Sequence, residues 1–150
     1  MSSLTAPEPL TSNEIEAANR GEATAILIRA GFRVYRPEAD VSGEDMVIRT
    51  PEGCLRSVQM KGRPTVDHRR YGGRCIWMLF PDPGGSVPGR RWFLVEHDKL
   101  FAWVKLRHGT SPGWKEAWTY PRMSVALREF LCSYGLGTAQ PSVTAFDNTL

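Results

Sequence analysis

Gly43-Glu44-Asp45-Met46-Val47-Ile48 and, ten residues on, Val58-Gln59-Met60-Lys61 are the stretches on which the reading of this chain turns. An acid opens the first apolar run, and a Gln-x-Lys closes the second. Between them lies Thr50-Pro51-Glu52-Gly53, whose Pro and Gly are turn residues. A three-residue loop of Pro51, Glu52 and Gly53, with Gly53 left-handed, sets Thr50 against Cys54. Pairing then runs outward with residue numbers summing to 104, which puts Asp45 opposite Gln59. Directly opposed residues hold their Cβ atoms about 4.5–5.5 Å apart. Lys61, two residues along, shares the face of Gln59. A carboxylate, an amide oxygen and an ammonium thus converge on one patch, an arrangement suited to a divalent cation beside a phosphate.

The elements around this hairpin follow from periodicity. Thr11-Ser12-Asn13-Glu14 reads as a capping box opening a helix that stops at Gly31. Ile15, Ala18, Ala23, Ile26 and Ala30 fall on one side of it. Glu22 lies inside the same stripe, where a carboxylate is costly unless paired or bound. Arg29 is near enough to be a structural partner. Phe32–Arg36 alternates and reads as a strand ended by Pro37, and a loop from 38 to 44 follows. Asp45–Arg49 and Leu55–Lys61 are the second and third strands. Gly62–Gly73 reads as polar, basic and mobile. Arg74–Phe80 and Trp92–Glu96 are further strands, separated by a Pro- and Gly-rich loop. Asp98 is placed to cap a helix over Lys99–Arg107. A loop with two tryptophans leads to a last helix from Pro121 to about Tyr134. Trp103, Trp114 and Trp118 read as core packing, and His97 as structural.

This order predicts an α/β (α+β) domain over residues 12–136, with a central mixed sheet of about five strands flanked by helices. Residues 1–11 read as disordered and 137–150 as a loose tail.

Composition narrows the function classes. The 150 residues are 41% apolar and 23% charged, as in an ordinary globular domain. No run approaches the roughly 20 apolar residues of a membrane span. Met1–Leu10 lacks a basic region followed by an apolar one, so a cytoplasmic location is the default. Cys54, Cys75 and Cys132 form no CxxC, and His68, His97 and His108 have no HxxxH spacing. Reduced packed thiols, rather than a zinc site, are expected. The net charge is only +3. Yet Arg56, Lys61, Arg63, His68, Arg69, Arg70 and Arg74 fall within nineteen residues against one acid, Asp67. Such a cluster can neutralise phosphates, and equally can be a solvated loop.

Over residues 12–80 the pattern resembles the PD-(D/E)XK nuclease-like superfamily. Its core is a helix followed by a three-stranded meander, a further helix and a strand. Its motif is an acid opening the second strand, an acid-x-lysine on the third, and a glutamate from the first helix. Asp45 matches the first acid and Lys61 the lysine, while Gln59 stands where the second acid is usual. Gly31-Phe-Arg-Val-Tyr-Arg-Pro37 leading into this motif looks most like the small branches that include Holliday-junction resolvases and intron-type homing endonucleases. Glu22, nine residues before Gly31, is taken as the helix acid, although it lies closer to that glycine than in resolvase-like members. Glu16 is the alternative.

The resemblance implies a restriction-endonuclease-like core and a DNA endonuclease that uses Mg²⁺ or Mn²⁺. It implies Asp45, Gln59, Lys61 and Glu22 as catalytic residues, with Asp45, Gln59, Glu22 and the Met60 backbone carbonyl around the metal. Arg63, His68, Arg69, Arg70 and Arg74 would hold DNA, Tyr71 could stack on a base or equally begin the next strand, and a homodimer would suit cutting of two strands. The other reading is a catalytically weak or inactive nuclease-fold module that binds nucleic acid or a protein partner. Taken singly, Asp45 can also cap the Ser42-Gly43 loop, and Gln59 and Lys61 can be a solvated strand face.

Overall fold

A computed structural model describes residues 7–38 and 45–137. The expected disorder of the first residues, the 38–44 loop with its Ser42-Gly43 cap, and the tail after Gly137 lie wholly or mostly outside the described residues.

Helix α1 spans Ser12–Arg29 and begins with the expected reciprocal cap. Glu14 N donates to Thr11 Oγ1 at 3.2 Å, and Thr11 N donates to Glu14 Oε1 at 2.8 Å. These bonds satisfy two amides that the first helical turn leaves without carbonyls. The helix closes at Ala30, and Gly31 turns the chain at φ +95°. Ala23 and Leu27 are fully buried, but Ile15 is 48% exposed. The apolar stripe therefore meets the core only in its second half.

Strands β1 (Arg33–Tyr35), β2 (Met46–Arg49) and β3 (Leu55–Met60) form an antiparallel meander. Met46 pairs Val58 and Arg49 pairs Leu55, so the register sums to 104 as the turn chemistry predicts. Gly53 holds φ +97°, its N donates to Thr50 O at 2.8 Å, and Thr50 N donates to Cys54 O at 2.7 Å.

The chain then crosses through β4 (Thr65–Asp67) and the one-turn helix α2 (His68–Tyr71) to β5 (Ile76–Pro81), which lies parallel to β3. The Gly62–Gly73 stretch is thus built of regular elements rather than a mobile loop. Val66 and Tyr71, both buried, anchor it. Strand β6 (Trp92–Glu96) runs antiparallel to β5 and leads into α3 (His97–His108). Asp98 does not cap α3; it sits in the first turn and accepts from Gly73 N at 3.0 Å. Within the expected tryptophan-bearing loop, β7 (Ala117–Thr119) pairs with β4 as a separate two-stranded sheet. The last helix, α4, covers only Val125–Leu131, because Ser124 rather than Pro121 caps it, accepting from Leu127 N at 3.1 Å. A 3₁₀ turn at Cys132–Tyr134 and strand β8 (Gly135–Leu136), paired with β6, follow.

The result is a mixed α+β fold with a six-stranded mixed sheet, order β1-β2-β3-β5-β6-β8, one strand more than the sequence suggests. Alternation splits the core into two layers. Met46, Ile48, Val58, Met60 and Leu79 pack with Ala23 and Leu27 of α1. Met78, Phe80, Phe93 and Val95 pack with α3, α4 and the small sheet, joined by Trp103, Trp114 and Trp118.

Candidate functional site

The site forms where the β2–β3 hairpin opens. The regular register ends at Met46–Val58, and Asp45 N, just beyond it, donates to the same Val58 O at 2.8 Å. Asp45 Oδ2 accepts from Met60 N at 2.8 Å and from Gln59 Nε2 at 3.0 Å. This hydrogen bond brings the Asp45 and Gln59 side chains together just beyond the last regular pair. Gln59 Oε1 points away from that bond and is buried with no hydrogen-bond partner among the described residues. A buried acceptor without a donor costs roughly 1–3 kcal/mol. Lys61 continues the strand direction, its N donating to Leu79 O at 2.9 Å. Its ammonium lies 5.6 Å from the centroid of the Tyr71 ring. Asp45, Gln59, Met60 and Lys61 line a cavity of about 330 Å³.

The far wall of this cavity is the first half of α1: Ser12, Ile15, Glu16 and Asn19. Glu16, paired with Arg20 at 3.0 Å, is the helix acid that reaches the cavity. Glu22 does not line it. Six residues separate the two, which at 100° each places them about 120° apart around the helix. Glu22 is held instead by the segment entering β6. Arg90 Nε donates to its Oε2 and Arg90 Nη2 to its Oε1, both at 2.8 Å. Trp92 Nε1 donates to Oε2 at 2.7 Å, and Arg90 Nη2 also reaches Asn19 Oδ1 at 2.7 Å. The Arg90 hydrogen bonds hold the Glu22 carboxyl below its ordinary range; partial burial opposes them, and the Trp92 N–H and the Arg90 charge reinforce them. The partner is Arg90, not Arg29, and no spacing along the sequence marks a residue in a loop 68 positions away.

The basic residues divide into groups. Arg63, His68, Arg69, Arg70 and Arg74 are all exposed. Arg63 follows the cavity-lining Gly62 directly, and His68, Arg69 and Arg70 occupy α2. Arg74 instead lines a separate cavity of about 410 Å³ with Leu55, Ser57 and Ile76, at the opposite end of β3 and β5 from Gln59 and Lys61. Tyr71 is no base platform: it is 5% exposed, and its ring meets His97 edge-on at 5.7 Å. His97 is structural, as its position suggests. Its Nε2 accepts from Asp67 N at 3.0 Å, so Nδ1 carries the proton toward Asp98 Oδ1 at 2.9 Å. Burial lowers its pKa, against the opposing pull of Asp98.

Among the described residues no three His, Cys, Asp or Glu side chains gather as a metal-binding group. No helix among them is long and apolar enough to cross a membrane.

No protein-family model and no curated protein sequence matches the chain. A solved bacterial homing endonuclease, I-Ssp6803I, is similar in structure, with a TM-score of 0.48 and 15% identity, covering 76% of this chain and 78% of that one.

Proposed function

We propose that this chain is a divalent-metal-dependent endonuclease that hydrolyses DNA phosphodiester bonds at the Asp45–Gln59–Lys61 cavity. The observation that carries the reading is the orphaned Gln59 Oε1, buried beside the Asp45 carboxylate in a cavity shared with Lys61. An unpartnered oxygen next to a carboxylate is satisfied by a cation, and hard oxygen donors suit Mg²⁺ or Mn²⁺. The residues present fit such an ion: Asp45, Gln59 and the Met60 carbonyl would hold it, and Glu16 replaces Glu22 as the helix acid.

A bound Mg²⁺ or Mn²⁺ supplies Lewis-acid polarisation of the phosphoryl group and a stronger water nucleophile. Asp45 contributes the negative charge that localises the ion. Gln59 adds an oxygen but no charge, so metal binding is weaker than with an acid at this position. The Lys61 ammonium leaves the Tyr71 face to screen negative charge building on the phosphate oxygens and to orient the water. Arg63 is the nearest arginine along the chain and meets a neighbouring phosphate.

The second reading is a catalytically silent DNA-binding module on the same fold. It is favoured by the Gln59 amide, which donates to Asp45 where an active pair would turn oxygens toward a common ion.

Incubation with plasmid, branched and single-stranded DNA plus Mg²⁺ or Mn²⁺ separates the two. Cleavage is expected from the wild type, with Lys61→Ala and Asp45→Ala each losing roughly 10²–10⁴-fold. DNA binding without any cleavage sensitive to these two substitutions would establish the silent module instead.

A further inference from the structure

The small β4–β7 sheet has no part in the chemistry above, and its two strands come from places more than fifty residues apart. One face is anchored. Val66 is 1% exposed, and Trp118 packs against the same core. The Trp118 ring stacks on His108 at 4.3 Å and 12°, and His108 Nε2 lies 2.7 Å from Tyr120 Oη. The ribbon is therefore anchored to the core by this face.

The other face carries small polar groups. Thr65 pairs directly with Thr119, whose hydroxyl donates to Thr65 Oγ1 at 3.5 Å, while the Thr65 hydroxyl donates to Arg63 O at 2.9 Å. Ala117 lies on the same side, opposite Asp67. Of the acids at the ribbon, Asp67 Oδ1 accepts from Arg70 N at 3.3 Å, and Glu116, just before β7, makes a half-exposed surface pair with Lys105 at 3.7 Å. What remains at the rim is basic and exposed. Arg63 precedes β4, and Arg69 and Arg70 follow it. Tyr120 N donates to Pro64 O at 2.9 Å, so pairing continues toward Arg63, and exposed Arg122 comes two residues later.

We propose that the β4–β7 ribbon is a DNA-reading element that enters the major groove of a duplex whose backbone lies at the Asp45 cavity, with Thr65 and Thr119 toward the bases and Arg63 and Arg122 on the flanking phosphates. The position of the duplex rests on the nuclease reading; the occupant of the ribbon rests on its shape and charge. Thr65 is four residues past Lys61, at most about 14 Å along the chain. Two strands spaced about 4.8 Å apart, with their side chains, suit a groove about 12 Å wide. Threonine offers both a hydroxyl for base edges and a methyl for thymine.

The test is binding in EDTA, which removes cleavage from the measurement. The probes are a short labelled duplex and the same duplex carrying glucosylated hydroxymethylcytosine, which fills the major groove. Wild-type protein is expected to bind the glucosylated duplex roughly tenfold or more weakly. Arg63→Ala and Arg122→Ala are each expected to lower the slope of log affinity against log salt by about one, with unchanged melting temperatures because both side chains are exposed. Thr119→Val is expected to reduce discrimination among randomised duplexes. Equal affinity for the two duplexes, with salt slopes unaltered in both arginine variants, overturns the proposal even if the protein cuts DNA. Tight binding to single strands alone overturns it too. Groove-sensitive binding by a protein that never cuts supports the ribbon and sinks only the nuclease reading.

Discussion

Glu22 and Asp45 are both partly buried carboxylates close to α1, and they differ in what their surroundings leave unpaired. Glu22 accepts two hydrogen bonds from Arg90 and one from Trp92, and its charge is matched by a guanidinium. Asp45 accepts from Met60 N and Gln59, but the amide that serves it keeps its own oxygen buried without a partner. The first corner is electrostatically closed and ties α1 to the segment entering β6. The second keeps the buried Gln59 oxygen without a hydrogen-bond partner among the described residues, with a cavity beside it. A carboxylate in a protein interior thus declares its role through the neighbours of its neighbours, because burial alone penalises both kinds alike.

Substitution of the two helix acids tests this contrast most strongly. Glu22→Gln leaves Arg90 partly buried and without its counter-charge, and is expected to lower stability by about 1–3 kcal/mol in chemical denaturation. Glu16→Gln is expected to change stability by no more than about 0.5 kcal/mol, since its pair with Arg20 is exposed, while raising the Mg²⁺ needed for cleavage. The reverse pattern would place the functional acid at Glu22 after all.

Gln59→Glu sharpens the open corner. A second carboxylate at hydrogen-bond distance from Asp45 supplies the missing charge, and the Mg²⁺ concentration for half-maximal cleavage should fall roughly tenfold. In EDTA the same variant should melt below the wild type, because two adjacent carboxylates repel, and added Mn²⁺ should restore it. A variant that melts identically with and without metal would mean that no ion enters this corner.

The smallest effect is in pH. The Glu22 pKa is lowered from 4.5, so the folded state favours its charged form; that stabilisation is present above about 4.5 and lost as pH falls through the lower folded value. The His97 pKa is lowered from 6.5 by burial, so its neutral form is favoured; that stabilisation is present above about 6.5 and erodes as pH falls below it. Unfolding free energy should therefore decline in two stages on acidification, each group contributing no more than about 1.4 kcal/mol per pH unit. Glu22→Gln should shrink the lower stage, to which Glu14, Glu52 and Asp98 also contribute, and keep the upper one.

What the sequence determined by itself was whatever depends on neighbours along the chain. The Thr11–Glu14 cap and the Pro51–Gly53 turn involve hydrogen bonds spanning three or four residues, so their residue types specify their geometry. Once the turn is set, a period of two carries the register outward and seats Asp45 against Gln59 without any knowledge of the rest of the fold. Tertiary structure alone decided which acid of α1 faces the cavity, because that depends on the rotation of the helix against the sheet, and Arg90 and Trp92 hold that rotation from about seventy residues away. It also decided that the basic run holds a strand. Val66 is one apolar residue among charges, too weak a pattern to read, and it becomes a strand because Trp118 comes to lie opposite it. Contacts between distant segments are selected by packing of the whole core, and no local periodicity encodes them.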